Sequence, residues 1–551
     1  MADIVLINPR FDPTYWGFDY ALPLFRKQAL LPPLNLATIA ALTPSGHTVS
    51  IIDENVEPID FERCARADIV GVGGMAVQRD RMREIILELK ERGIFTVLGG
   101  PWVTVSPEDL SGLVDVIFVG EAEETWPRFL AEWKEGRHEA HYEQAEKTDM
   151  SVVPRPRWDL LPMQKYLYGS MQVSRGCPFT CEFCDIIVVF GRRPRLKTAA
   201  QIRDELDGLA AAGMHDAFIV DDNLIGNKKA VKPILREIIR WQEERGYPLS
   251  FMTEASIDLA EDDEMIRLML DANIDMVFVG IESPNEEALR ETKKIQNLAD
   301  RNGTLLEKVH HLQDAGLFVS CGMIVGFDND DATVFETHRR FVADSRIAMV
   351  MLNVLAAIPQ TPLFKRLQQA GRLGATERIT AHSAAVSTNV IPLRMTQEAL
   401  FDGYLRLMRQ LYAVDAFFDR LDAMWFSSNW LPAAARTSYL RRHRQYRRWF
   451  RLNVRAALQG GYVFLQLMRR VPDAALRRRY RRRLWRAALR RPNIRLLRAY
   501  VSNCAIHFHH HRLIEQWSAG RAPAIPGAGG AGSGISVGNA PAEGVARAAA
   551  G

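Results

Sequence analysis

The chain has 551 residues, 47% of them hydrophobic and 25% charged, which is ordinary for a soluble globular protein of two to four domains. Its net charge of +4 conceals an asymmetry: residues 436–500 hold 21 arginines, no lysine and one acid, Asp473, so they carry +20 and the remainder −16. Six cysteines make no disulfide framework, no apolar run approaches the roughly 20 residues of a spanning helix, and the N-terminus shows no signal-peptide pattern, so a reducing cytoplasm is expected. Strands are predicted at 4–8, 49–53, 69–73, 96–99 and 116–120. They are rich in Val and Ile without period-two alternation, as strands buried on both faces are. Helical patterns at 81–92 and 124–133 complete a doubly wound, Rossmann-like α/β domain over residues 1–142. Gly73, Gly74, Gly99, Gly100 and Gly120, with Glu121 next, fall at the carboxyl ends of these strands. Glycines there let a backbone approach a flat or phosphorylated ligand, although such loops also need glycine merely to turn. Tyr15, Trp16 and Phe18 follow the first strand, placed either to pack on a ligand or to cover the sheet.

Residues 143–168, with Pro154, Pro156 and Pro162, read as a linker. Beyond it stand Cys177, Cys181 and Cys184, spaced Cys-x3-Cys-x2-Cys. Three thiolates in this pattern can hold three irons of a 4Fe–4S cube and leave the fourth open to a small molecule. A zinc site is the bland alternative, but zinc prefers four ligands and no second pair follows. Strands at 171–174, 217–220, 250–253, 276–279, 318–325 and 349–355 alternate with helices at 201–212, 228–245, 262–272, 305–315 and 332–345. These six βα units span residues 169–373. Polar residues end their strands: Asp221 and Asp222 after the second, Glu254 after the third, Glu282 after the fourth. Each carboxylate could instead cap a helix. Residues 374–518 are read as mostly helical, arginine-rich from 436, and 519–551 as a tail too poor in large apolar residues to fold.

The cysteine spacing, with Phe183 before the last cysteine and Ser174-Arg175-Gly176 ahead of the first, resembles the radical S-adenosylmethionine (SAM) superfamily. The resemblance implies a partial (β/α)6 barrel with its site at the C-terminal strand ends. It implies SAM contacts from Asp221, Asp222, Glu254 and Glu282, with Gly322 to Gly326 along the adenine. The domain at 1–142 is similar to the cobalamin-binding domain fused to many such enzymes. If so, Gly73, Gly74, Gly99, Gly100, Gly120 and Glu121 contact cobalamin. The Asp-x-His-x-x-Gly ligand motif is absent, and His47 reads as a turn, so no histidine is expected under the cobalt.

From 1 to about 373 the chain resembles the cobalamin radical SAM group that includes the hopanoid C-2 methylase, most strongly over 174–227. That implies an enzyme methylating an unactivated carbon of a small or lipid-like substrate, through a 5′-deoxyadenosyl radical and methylcobalamin, with flavodoxin or ferredoxin as electron donor. Cyclisation or rearrangement without methyl transfer, and a non-enzymatic Fe–S or corrinoid protein, are the rival readings. For residues 436–500, arginines interleaved with aromatics suit a helix lying on an anionic membrane surface, which would place the protein at the inner membrane face. A solvated or intramolecular face is the second reading, and nucleic acid is disfavoured because no binding module accompanies the charge. His507 and His509 to His511 are metal-capable, but one histidine cluster is a weak signal.

Overall fold

A computed structural model describes residues 1–299, 302–374 and 388–519. The N-terminal sheet is wholly parallel: β1 (Asp3–Asn8), β2 (Thr48–Asp53), β3 (Ile69–Gly73), β4 (Thr96–Gly99), β5 (Val116–Val119) and β6 (His141–Glu143), ordered β2-β1-β3-β4-β5-β6. Its strands are continuous apolar runs because helices cover both faces: α1 (Leu34–Leu42), α2 (Arg79–Glu91) and α3 (Thr125–Lys134). In α2 the buried Met82, Ile85, Ile86 and Leu89 recur at three- and four-residue spacing, the stripe that packs a helix on a sheet. The sequence pattern misses β6, a three-residue edge strand with only Tyr142 buried.

The second sheet is parallel as well: β7 (Gly169–Met171), β10 (Asp216–Ile219), β11 (Ser250–Ala255), β12 (Ile274–Glu282), β13 (Phe318–Val325) and β14 (Val350–Val354), in the order β14-β13-β12-β11-β10-β7. The helices α4 (Ala199–Ala211), α5 (Lys228–Arg245), α6 (Asp263–Asp271), α7 (Leu305–Ala315) and α8 (Val334–Asp344) make it the expected partial barrel. A short antiparallel ribbon, β8 (Ser174–Arg175) with β9 (Arg195–Leu196), brackets the cysteine loop.

The barrel is open between its edge strands β7 and β14, and the first domain fills part of that opening. Its loop after β1 runs beside the segment leading to β7, where Leu167 N donates to Ala29 O and Tyr168 N to Leu30 O, both at 3.0 Å. At the other edge the Tyr15 hydroxyl meets Val350 O.

The C-terminal helices α9 (Gln397–Leu411), α10 (Val414–Ser427), α11 (Ala434–Arg442), α12 (Tyr446–Arg470), α13 (Ala474–Arg490) and α14 (Ile494–Ser518) close the base of the barrel. Tyr412 donates to Val350 O (2.7 Å), Arg420 to Ile347 O (2.7 Å), and the Trp430 indole to Asp275 O (3.1 Å), all at the amino ends of barrel strands. The arginine-rich region is thus partly built into the fold. Arg483 pairs with Asp415, Asp419 and Asp422, while Arg491 donates to Trp425 O. The expected tail lies, but for Ala519, outside the described residues.

Candidate functional site

The cysteine loop is held from three sides. Ser174 and Arg175 pair with Leu196 and Arg195, and Cys177 N donates to Gly191 O (3.2 Å). Gly176 has φ +96°, and a Cβ there would lie 2.9 Å from both Gly191 O and Arg193 O. Only glycine fits that turn. Cys181 is buried, Cys177 and Cys184 half-buried. Among the described residues no three His, Cys, Asp or Glu side chains gather as a single-ion site.

The strand-end carboxylates divide by their partners. Asp221 accepts from Val173 N (2.7 Å) and the Ser174 hydroxyl (2.6 Å), so both its oxygens anchor the start of the cysteine loop. Asp222 accepts from Gly176 N (2.9 Å). Neither caps a helix; the cap of α5 is Asn227. Glu282 has φ +61° and pairs with Lys294 at 2.8 Å. Burial alone would depress the Lys294 ammonium, but Glu282 and the Cys181 and Cys184 thiolates hold it above its ordinary range. A carboxylate and an ammonium beside the cysteines went unread as a pair because twelve residues separate them.

Glu254 differs. Its carboxylate has no hydrogen-bond or ion-pair partner among the described residues. Burial, then the charges of Asp222 and Glu282, raise its carboxyl to about 8. Burial likewise lifts Asp221 to about 7 and Asp222 to about 6. An unpartnered carboxylate between acids is an acceptor awaiting a cation or a donor. Gly322 lies two strands away on β13, where a Cβ would come within 2.9 Å of the Phe278 ring. Gly326, at φ +105°, ends β13, its N–H donating to Asp330 (2.8 Å).

In the first domain the glycines separate into two kinds. A Cβ on Gly100 (φ +105°) or Gly120 (φ +87°) would lie 3.0 Å from neighbouring backbone, so those two are explained by close-packed turns. A Cβ on Gly73 or Gly99 would meet nothing nearer than 3.5 Å. Their bareness is not demanded by packing and leaves the strand ends flat, as a macrocycle requires. Met75 and Val77 stand exposed just beyond. The side chain of Gly74's position is limited by Met82, 2.6 Å from its Cβ direction. His47 accepts from Ala2 N (3.3 Å) at the opposite, amino-terminal end of the sheet, so it cannot reach this surface.

Glu121 is engaged elsewhere than at a ligand. It pairs with Arg175 (2.7 Å) and Arg195 (3.0 Å) and accepts from Thr148 N (2.9 Å), while Glu123 also meets Arg175 (2.7 Å). This buried network ties the first domain to the residue two positions before Cys177. Two of the four C-terminal histidines are likewise held by protein partners. His507 sits between the Tyr480 hydroxyl (2.7 Å) and Tyr412 O (3.1 Å), and His509 bonds Thr14 O (2.9 Å) and Tyr20 N (3.2 Å). Trp16 packs at a tilt against Phe278 (centroids 5.1 Å), covering the barrel rather than the first sheet.

Residues 171–342 match the radical SAM superfamily, 28–130 the B12 binding domain, and 361–522 a domain of unknown function (DUF4070). The chain is 39% identical to an uncharacterised methyltransferase of Synechocystis over 76% of this chain and 77% of that one. It is 35% identical to the hopanoid C-2 methylase of Rhodopseudomonas palustris, covering 67% and 71%. Among solved structures it is similar to the cobalamin-dependent SAM radical enzyme OxsB (TM-score 0.59, 15% identity, 94% and 80% covered). It is also similar to the radical SAM methyltransferase TsrM of Kitasatospora setae (TM-score 0.54, 19% identity, 74% and 82% covered).

Proposed function

The chain belongs to the cobalamin-binding radical SAM enzymes, and from that membership we propose that it methylates an unactivated carbon of a lipid-like small molecule. The observation that carries this is the join between flat strand ends at Gly73 and Gly99 and a cysteine loop tied to the same domain through Arg175. When bound, the cluster with SAM supplies a hydrogen-abstracting 5′-deoxyadenosyl radical and the corrin supplies the methyl group. Cys177, Cys181 and Cys184 would hold the cluster; Gly73, Gly74, Gly99 and Gly100 would lie against the corrin.

Glu254, lacking a protein partner, is the acceptor assigned to SAM's amino or ribose donors, and Asp222 stands next to it in the same acidic group. Asp221 is assigned a positioning role, since the loop already uses both its oxygens. Gly322 to Gly326 would lie along the adenine. Glu121 and Glu123 hold Arg175 and hence the loop, not a ligand. A small electron-transfer protein, flavodoxin or ferredoxin, would be the reductant.

The reading is tested by incubating the reduced, cobalamin-loaded protein anaerobically with SAM deuterated at its methyl group and a membrane-lipid extract. Transfer of the labelled methyl to a product is expected. SAM cleavage with an unlabelled, rearranged product would favour the cyclase reading instead.

Peripheral contact with an anionic membrane is supported by one feature of α12. Tyr446, Phe450, Val454, Leu458 and Leu465 are all exposed, Phe450 at 63% and Leu458 at 70%. At about 100° per residue they fall on roughly one third of the helix circumference. Arg447 lies within the stripe and Arg451 and Arg455 along one edge of it, and Trp485 and Leu489 are exposed on α13. An apolar stripe edged by arginines is the pattern of a helix seated among anionic headgroups. Replacing Phe450 and Leu458 with Asp should abolish binding to anionic vesicles; unchanged binding would count against the contact.

A further inference from the structure

A cavity of about 700 Å³ lies at the base of the barrel, between the amino ends of its strands and the C-terminal helices. This end is opposite the cysteines. Its wall is mostly apolar, with Phe25, Phe251, Met276, Phe318, Trp430 and Val463 among the lining residues. Its charges are unbalanced. Lys27, Arg436, Arg448, Arg455, Arg495 and Arg498 line it against only two acids, Asp216 and Asp275.

Three of those arginines outnumber their nearest acids, Asp216 and Asp275. Arg436 donates to Tyr247 O (2.7 Å), Pro248 O and Ser250; Arg495 to Asn453, Ala433 O and Thr437; Arg498 to Gln459 (3.4 Å). None of the three has an ion pair among the described residues. Arg495 is 8% exposed and its Nη2 has no partner; the Nε of Arg498 and the Oδ1 of Asn503, another lining residue, have none either. Burial, then the like charges of Arg436, Arg498 and Arg441, depress the Arg495 guanidinium to about 10. Buried cations that repel one another and leave donors unmet are costly unless an anion joins them.

We propose that this basal cavity binds an amphipathic anion, its phosphate or carboxylate head on Arg436, Arg495 and Arg498 and its apolar body along the barrel lumen. The lumen-facing residues of β11 support the direction of entry: Ser250 and Met252 line the cavity, and Glu254 is the next on that face. Phe278, paired in register with Glu254 and packed against Trp16, stands between the cavity and the SAM end. The site is therefore separate from the cysteine site. Its mouth is built partly from Arg448, Arg455 and Tyr462 of α12, the helix that carries the exposed apolar stripe.

The test is titration of the full-length protein, without SAM turnover, with octyl phosphate, inorganic phosphate and octyl glucoside, each below its micelle concentration, followed by tryptophan fluorescence. Octyl phosphate should bind roughly tenfold or more tightly than either control, and Arg498→Gln should lower its affinity by roughly tenfold or more. Arg495→Gln should do the same, but Arg495 also holds Thr437 and Asn453. Arg498, bonded only to Gln459 among the described residues, is therefore the cleaner variant, with an unchanged melting temperature as its control. Equal binding of inorganic phosphate would reduce the site to a plain anion site and overturn the proposal. So would equal binding of octyl glucoside, or wild-type affinity in both arginine variants. None of these readouts depends on methyl transfer.

Discussion

At the scale of single residues, two groups of side chains make opposite demands. The three loop cysteines each anchor one iron, so Ala at Cys177, Cys181 or Cys184 should leave anaerobically reconstituted protein without its 4Fe–4S absorbance. Cys64, Cys321 and Cys504 are buried apart from the loop, and their Ser variants should load iron normally. Asp275 behaves differently. Burial, then the neighbouring Asp216, lift its carboxyl from the ordinary 3.8 to about 7, opposed by the Ala433 N–H and by Arg436 and Arg498. A carboxyl raised on folding holds its proton longer in the native state, so stability falls as pH rises from about 4 to about 7. The loss amounts to at most about 4 kcal/mol. Asp275→Asn, which can still accept from Ala433 N, should flatten that slope in urea unfolding measured at pH 5 and pH 8. An unchanged slope would mean that other groups set the pH dependence.

At the scale of elements, Arg175 on the β8–β9 ribbon links two domains. Replacing it with Leu leaves the buried Glu123 with only the Thr148 hydroxyl and no counter-charge, and Glu121 with Arg195 and Thr148 N. An uncompensated buried charge costs on the order of 3–5 kcal/mol, so a clearly lower melting temperature is expected. Iron retention should fall with it, because the ribbon frames the loop. Arg175→Lys should recover part of both, since an ammonium keeps the charge between the two carboxylates that one guanidinium nitrogen now meets but loses the Nε contact with Gln172. A Leu variant that melts and loads iron like wild type would show that the network does not fix the loop.

At the scale of the molecule, the C-terminal helices are part of the core. By composition, the arginine-rich region after Trp430 looks dispensable. Yet Tyr500 packs edge-on against Trp425, and His509 holds the Thr14 carbonyl in the loop that covers the barrel's open side. A chain ending near Trp430 should therefore aggregate or unfold non-cooperatively in circular dichroism melts. If it instead melts as one sharp transition and still cleaves SAM, the helices are an appendage.

The sequence by itself determined the local chemistry and the two parallel sheets. Cysteine spacing is a short-range property, and strands buried on both faces announce themselves as unbroken Val and Ile runs. What only the tertiary structure decided are the pairings across long separations. Glu121 and Arg175 stand 54 positions apart, and Asp221 meets Ser174 across 47. Both acids look like ligand residues in the sequence because a carboxylate at a strand end carries no sign of whether a protein donor already fills it. The arginines divide for the same reason. Helical periodicity gives α12 two apolar faces, and only packing reveals which one lies against the barrel base and which one faces outward. Net charge counts arginines, but burial and partners determine which of them remain able to meet an anion.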